Sequence, residues 1–197
     1  GERMTQTAEA VVEATRPAPR LMGLRYWHRR QDFLYYQVVR ILATKLAEGS
    51  DSILDVGSHG SPYLEWFADV PNRTSLDLVE PYRADGITSV VSDFLAWEPD
   101  RRYDAVCFGF WISHVPLERL DAFLRTVAGA LRPGGKVFFV DGRREPSSTA
   151  ADHHLPERDE QVMIRRLNDG REYRIVKNFF DPPALAARCA RAGLDVE

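Results

Sequence analysis

One alternation governs what this chain can fold into: short apolar runs that end in glycine or aspartate are followed, repeatedly, by helix-forming stretches. Ser52-Ile53-Leu54-Asp55-Val56-Gly57 is such a run, and Ser61-Pro62 then supplies an N-cap and first-turn pair for a helix through Leu64, Trp66 and Phe67. Thr74 to Val79, Thr88 to Ser92, Tyr103 to Phe110 and Lys136 to Asp141 read as further strands. Between the last two lies a helix from Pro116 to Leu131, with Leu117, Leu120, Phe123, Leu124, Val127 and Leu131 on one face and Pro133-Gly134-Gly135 at its end. Strands that are apolar throughout and alternate with helices make a mostly parallel, doubly wound α/β sheet covered on both faces.

The flanks follow other patterns. Residues 1–24 carry Pro17 and Pro19, which interrupt any helix, and read as an N-terminal arm that orders only by packing on something. Within 25–49, Phe33, Leu34, Val38, Ile41, Leu42 and Leu46 recur at spacings of three and four before Gly49, an amphipathic helix running from about Arg29 to Ala47. The core spans 52–141. In 142–180, Gln161 to Leu167 and Glu172 to Phe179 alternate polar and apolar residues around Asn168-Asp169-Gly170, which predicts an inserted β-hairpin, a lid or a dimer surface. In 181–197, Pro182-Pro183 opens a helix that stops at Gly193, and Leu194-Asp195-Val196 looks like the first residues of another strand.

The chain has 197 residues, 44% of them hydrophobic and 28% charged, so a single domain is expected, burying roughly 70% of the unfolded surface without staples. Cys107 and Cys189 sit inside apolar patterns, and no Cys-x-x-Cys or Cys/His ligand spacing occurs. No metal is expected, and a reduced, cytoplasmic setting is. A net charge of −3 argues against nucleic acid as partner, although Arg25, Arg29 and Arg30 lie among Tyr26, Trp27, Phe33, Tyr35 and Tyr36. No apolar run of about 18 residues is present, so neither a membrane span nor a membrane partner is expected.

In an open parallel sheet, ligands bind at the carboxyl ends of the strands. The polar residues at those loops are Asp55 and Gly57, Asp77, Asp93, Gly109 to His114, and Asp141 onward. The first loop, Gly57-Ser58-His59-Gly60-Ser61, lacks the Gly-x-Gly-x-x-Gly that lets a backbone approach a pyrophosphate, which disfavours a dinucleotide. Asp77 stands 20 residues after Gly57, the distance at which a carboxylate on the second strand accepts both hydroxyls of a ribose. A nucleoside without pyrophosphate satisfies both observations.

The order Leu54-Asp55-Val56-Gly57-x-x-Gly60, Asp77, Ser92-Asp93-Phe94, Tyr103-Asp104-Ala105-Val106 and Leu131-Arg132-Pro133-Gly134-Gly135-Lys136-Val137 resembles the class I S-adenosylmethionine-dependent methyltransferases. The resemblance covers residues 52–140 and implies a Rossmann-like fold and S-adenosyl-L-methionine as cofactor. It implies that Asp55, Gly57, Ser58, His59 and Gly60 line the methionine moiety, that Asp77, followed by Leu78, holds the ribose, and that Asp93 accepts from the adenine amino group with Phe94 beside the ring. Phe108, Gly109 and Phe110 would close the pocket floor. His59 departs from the family's Gly-x-Gly-x-Gly and points either into the site or away from it. Such domains end with two further strands, and the sequence stops about where the sixth begins.

Each residue also has a plainer reading. Asp55 braces a turn, Asp77 is an acid at a strand end, and Phe110 and Trp111 are core aromatics. His114 before Pro116 either bonds nearby backbone or acts as a base; His153 and His154, in the polar loop after the fifth strand, are further base candidates. The expected chemistry is in-line transfer of the sulfonium methyl to an oxygen or nitrogen of a small-molecule acceptor. The alternative, favoured by His59, is a regulatory or partner protein that binds the cofactor without catalysis.

Overall fold

A computed structural model describes residues 30–144, 153–154, 161–166, 170 and 172–196. The expectations for residues 1–24, and for Asn168 and Asp169, lie outside the described residues. Five parallel strands form the main sheet: β1 (Ser52–Val56), β2 (Asn72–Asp77), β3 (Ile87–Val91), β4 (Tyr103–Gly109) and β5 (Leu131–Val140), in the order β3-β2-β1-β4-β5. The chain therefore reverses direction across the sheet between β1 and β4, and the crevice at their carboxyl ends is the place where such sheets bind ligands.

Strand alternation sorts the core into two layers. Leu54, Val56, Val106 and Phe108 face helix α2 (Leu117–Ala130), whose Leu120, Phe123, Leu124 and Val127 are fully buried. Ile53, Ala105 and Cys107 face the other way, toward helix α1 (Leu34–Leu46) and a five-residue 3₁₀ helix, Tyr63–Phe67. Helix α3 (Pro182–Arg191) is capped by the Asp181 carboxylate, which accepts from Ala184 N at 3.2 Å, and buries Cys189 on the α2 side. After β5 comes the inserted antiparallel sheet, β6 (His153–His154), β7 (Val162–Arg166) and β8 (Glu172–Val176), with β7 in the centre.

Several expectations are corrected. On α1 the buried stripe is Tyr36, Val39, Ala43 and Ala47, whereas Phe33, Leu34, Val38, Ile41 and Leu42 are exposed. Both stripes have helical spacing; the small side chains of Ala43 and Ala47 let the helix approach Ile53 and Ala105, and that contact decides the face. Leu117, at the first position of α2, is likewise exposed. The segment after β1 is a 3₁₀ helix instead of an α-helix, because Ser61 N is spent on Ser58 O at 3.0 Å and Pro62 flanks the helix without a side-chain cap. No loop separates α2 from β5: the pairing jumps from Tyr103↔Leu131 to Ala105↔Lys136, and the intervening Pro133-Gly134-Gly135 forms a bulge with Gly134 at φ +75°. Leu194-Asp195-Val196 forms no strand; Leu194 N bonds Cys189 O at 3.0 Å after the left-handed Gly193, which closes the end of α3 and buries the Leu194 side chain.

Candidate functional site

The loop after β1 is a run of left-handed residues: Gly57 at φ +72°, His59 at +46° and Gly60 at +70°. Gly57 N donates to Leu76 O at 2.8 Å, tying the loop to β2. A Cβ added at Gly57 would lie 1.9 Å from the indole of Trp111, so only glycine fits where β1 meets the loop after β4. His59 adopts the backbone conformation a glycine would prefer, with its side chain exposed. The departure from the glycine pattern thus leaves the path of the backbone intact.

Asp77 locks this arrangement. One carboxylate oxygen accepts from His59 N at 3.0 Å, and the other from Val79 N at 2.9 Å and Glu80 N at 3.0 Å. Burial pushes its pKa up against the pull of those N–H groups. Leu78, beside it, is 42% exposed.

Asp55 is fully buried, opposite Cys107 of β4, whose thiol donates to its Oδ1 at 3.8 Å. Desolvation raises the Asp55 pKa to about 7; the Ser58 hydroxyl opposes the rise without reaching hydrogen-bond geometry. The Asp55 Oδ2 and Ser58 Oγ atoms are buried without hydrogen-bond partners among the described residues. Two orphaned polar atoms beneath a left-handed loop fit the charged head of an amino acid, and with the clamp at Asp77 they fit the cofactor the sequence implies.

The remaining candidates divide. Asp93 accepts from Leu95 N at 3.0 Å and lies 3.6 Å from Arg119, half-buried beside the third strand. Phe94 is committed to the core, with its ring 5.4 Å from Phe123 and 6.0 Å from Trp97. Phe108 is also core, stacked 5.0 Å from Phe139 on the α2 side, so the floor on the loop side is left to Gly109 and Phe110. Gly109 admits the Tyr63 ring, 3.4 Å from where its Cβ would stand. Phe110 holds φ +55° with its N–H on Val140 O at 2.7 Å, and its ring lies 6.2 Å from Tyr35 and 6.1 Å from Tyr36. A non-glycine residue in that conformation is strained, and such strain concentrates at ligand sites.

His114 Nδ1 stands 2.6 Å from Val176 O. A carbonyl can only accept, so Nδ1 carries the proton in the neutral ring and Nε2 the lone pair. His153 and His154 are placed by their backbones in β6, opposite Arg165 and Ile164; their side chains lie outside the described residues.

Sequence reasoning missed the clamp between the inserted sheet and the loop after β4. Lys177 Nζ donates to Ser113 Oγ at 2.7 Å and to Asp141 Oδ1 at 3.1 Å. Asn178 N donates to Ser113 O at 2.8 Å, and its buried amide to Val115 O at 2.7 Å. Asp141 was legible as a strand-end acid, but Lys177 and Asn178 lie beyond the hairpin, with no spacing rule to join them to Ser113.

The comparisons agree with this geometry. A family model described as "Methyltransferase domain" matches residues 26–197. The ubiquinone biosynthesis O-methyltransferase of Xanthomonas euvesicatoria pv. vesicatoria is 30% identical over 169 residues, 79% of this chain and 67% of that protein. Its counterpart in Xanthomonas oryzae pv. oryzae is 31% identical over 158 residues, 74% of this chain and 63% of that one. Among solved structures, the DhpI-SAM-HEP complex superposes with a TM-score of 0.62 at 25% identity, covering 97% of this chain and 88% of the other. The sugar N-methyltransferase KedS8 from a Streptoalloteichus species shares the fold, with a TM-score of 0.63 at 20% identity over 88% of this chain and 84% of that one. The chain belongs to the class I S-adenosylmethionine-dependent methyltransferases. It is accordingly an enzyme of methyl transfer, and the reading as a non-catalytic binder loses its support, since His59 keeps the glycine-like path.

Proposed function

We propose that this enzyme moves the methyl group of S-adenosylmethionine to an oxygen or nitrogen of a small molecule by in-line displacement. The observation that carries the reading is the left-handed loop at Gly57, His59 and Gly60, clamped by Asp77 beside the β1/β4 crevice. Relatives named as O-methyltransferases of ubiquinone biosynthesis support a small acceptor. Asp55, Ser58 and the backbone of residues 57–60 hold the methionine end, Asp77 the ribose hydroxyls beneath Leu78, and Asp93 the adenine edge. Gly109 and Phe110 line the reacting side.

Bound S-adenosylmethionine supplies a methyl group already activated by sulfonium charge. The chain's main task is therefore alignment, for which effective molarities correspond to about 7–11 kcal/mol. A base taking the acceptor proton adds roughly 10²–10⁴-fold. His114 is our candidate for it, because Val176 O fixes the tautomer that leaves the lone pair on Nε2; His153 and His154 are the runners-up. Among the described residues no helix is long and apolar enough to cross a membrane. Two free, buried cysteines suit the reducing cytoplasm, where we place the enzyme.

Calorimetric titration with S-adenosylhomocysteine tests the reading. Wild-type protein binds, and Asp77→Ala binds at least 10-fold more weakly; a wild-type protein that takes up none overturns the assignment.

A further inference from the structure

Helix α1 is apolar on two opposite faces. Tyr36, Val39, Ala43 and Ala47 are buried on the sheet side, whereas on the far side Leu34, Val38, Ile41 and Leu42 stand 75%, 46%, 63% and 53% exposed. A helix that is apolar all round is built to be covered all round, and a continuous patch of large exposed side chains marks an interaction surface. The outer stripe runs i, i+4, i+7, i+8, and Lys45 continues it at i+11. Next to it a cavity of about 260 Å³ opens between α1 and the 3₁₀ helix, lined by Gln31, Tyr36, Gln37, Arg40, Ile41 and Trp66. Ile41 belongs to both, so stripe and cavity form one surface.

The charge of this surface has one sign. Leu34–Leu46 contains the cations Arg40 and Lys45 and no acid, and neither cation is ion-paired among the described residues. The indole N–H of Trp66 is buried without an acceptor among the described residues. What complements the surface is therefore an apolar stripe with carboxylates beside it.

The sequence carries such a segment close by. The described residues begin at Arg30, directly before α1, so the arm of residues 1–24 is tethered to one end of the exposed face. Within the arm, Met4, Ala8, Val11, Val12 and Thr15 repeat the offsets of Leu34, Val38, Ile41, Leu42 and Lys45 position for position. Residues 4–15 carry Glu9 and Glu13 and no Lys or Arg, a charge equal and opposite to that of α1. A helix of this length, stopped by Pro17, is marginal alone in water and forms only against a surface. Residues 16–29 extend to about 45 Å, against about 20 Å for the whole of α1, so the link is long enough for the arm to lie anywhere along it.

We propose that residues 4–15 form a helix that lies along the outer face of α1 as a strap, burying Leu34, Val38, Ile41 and Leu42 and setting a glutamate beside Arg40 at the cavity. The strap braces the helix that carries Tyr35 and Tyr36 to Phe110 at the crevice. A second copy of the chain complements the face less well, because two α1 helices would bring Arg40 and Lys45 of both into one interface with no acid between them.

Hydrogen exchange of the full chain, read by mass spectrometry, tests the strap. Residues 8–15 exchange at least 10-fold more slowly than in a synthetic peptide of residues 1–24, and equally so at low and high protein concentration. Ile41→Asp, at an exposed position, returns them to within twofold of the peptide while segments from β1 and β4 keep their protection. Val12→Asp, placed in the arm itself, has the same effect and carries the comparison should Ile41→Asp unfold the domain. Arg40→Glu with Lys45→Glu speeds exchange of residues 8–15 at least threefold, and adding Glu9→Lys with Glu13→Lys restores it. Wild-type exchange as fast as the peptide's, protection that survives both Ile41→Asp and Val12→Asp, or a wild-type dimer in sedimentation that Ile41→Asp splits into monomers each overturns the proposal. Cofactor binding is measured separately, so none of these results bears on the cofactor reading.

Discussion

Gly57→Ala is the sharpest probe of the crevice, since two independent costs converge on one methyl group. The residue sits at φ +72°, where an L-side chain costs about 1–2 kcal/mol. The new Cβ would also stand 1.9 Å from the Trp111 indole, an overlap no real contact tolerates. Trp111 has little room to yield, because its ring packs 5.0 Å from Phe123 in the α2 core. Forced overpacking of this kind costs about 1–3 kcal/mol. Against these, alanine lowers the entropy of the unfolded chain by about 0.4–1 kcal/mol. The net expectation is a loss of about 2–4 kcal/mol, or a midpoint lowered by roughly 5–15 °C at this chain length. Urea denaturation of wild type, Gly57→Ala, Trp111→Ala and the double variant separates the terms. In the Trp111→Ala background the overlap vanishes and only the dihedral cost remains, so the two substitutions couple by about 1–3 kcal/mol. A Gly57→Ala loss below about 0.5 kcal/mol, or an equal loss in both backgrounds, refutes the close approach of β1 to Trp111.

Asp55 and His59 yield two further expectations. The folded protein holds the Asp55 proton up to about pH 7, whereas an unfolded aspartate releases it near 3.8. The native state therefore binds more protons between those values, and stability falls as pH rises from about 4 to 7, then levels off. Asp55→Asn removes the ionisable group, so its denaturation midpoint at pH 8 rises and its slope across pH 5–7 flattens; the difference is on the order of 4 kcal/mol at most. An unchanged pH slope in the variant contradicts the buried, protonated Asp55. His59→Gly, by contrast, leaves affinity for S-adenosylhomocysteine within about twofold, because glycine keeps the backbone N–H that His59 donates to Asp77 and adopts the same left-handed conformation without strain. A large loss on calorimetric titration would mean that the ring itself reaches the ligand.

The site was legible wherever its residues belong to one strand and the turn after it. Asp55, Gly57 and Asp77 announce themselves by an apolar run, a glycine and a fixed separation, and the structure places all three at the ends of β1 and β2. Phe94 and Phe108 show the limit of that reasoning. Strand ends mark which residues stand near a crevice, but the side on which an aromatic ring packs depends on a helix elsewhere in the chain, here on Phe123 of α2. The same limit explains α1, where two stripes of equal periodicity competed and the sheet selected the one with small residues.

What the sequence determined by itself was the five strands of the main sheet, the three α-helices among the described residues and the parallel arrangement, because hydrophobic period and turn chemistry are local properties. It also determined the family, because motifs in register over residues 52–140 need no tertiary information. Tertiary structure alone decided which groups meet across long separations. Lys177 reaches Ser113 and Asp141 only once the inserted sheet folds back on the loop after β4, and Tyr35 comes to Phe110 only once α1 lies against the sheet. Such contacts form between residues far apart in the chain, and pattern within one segment carries no information about a partner in another.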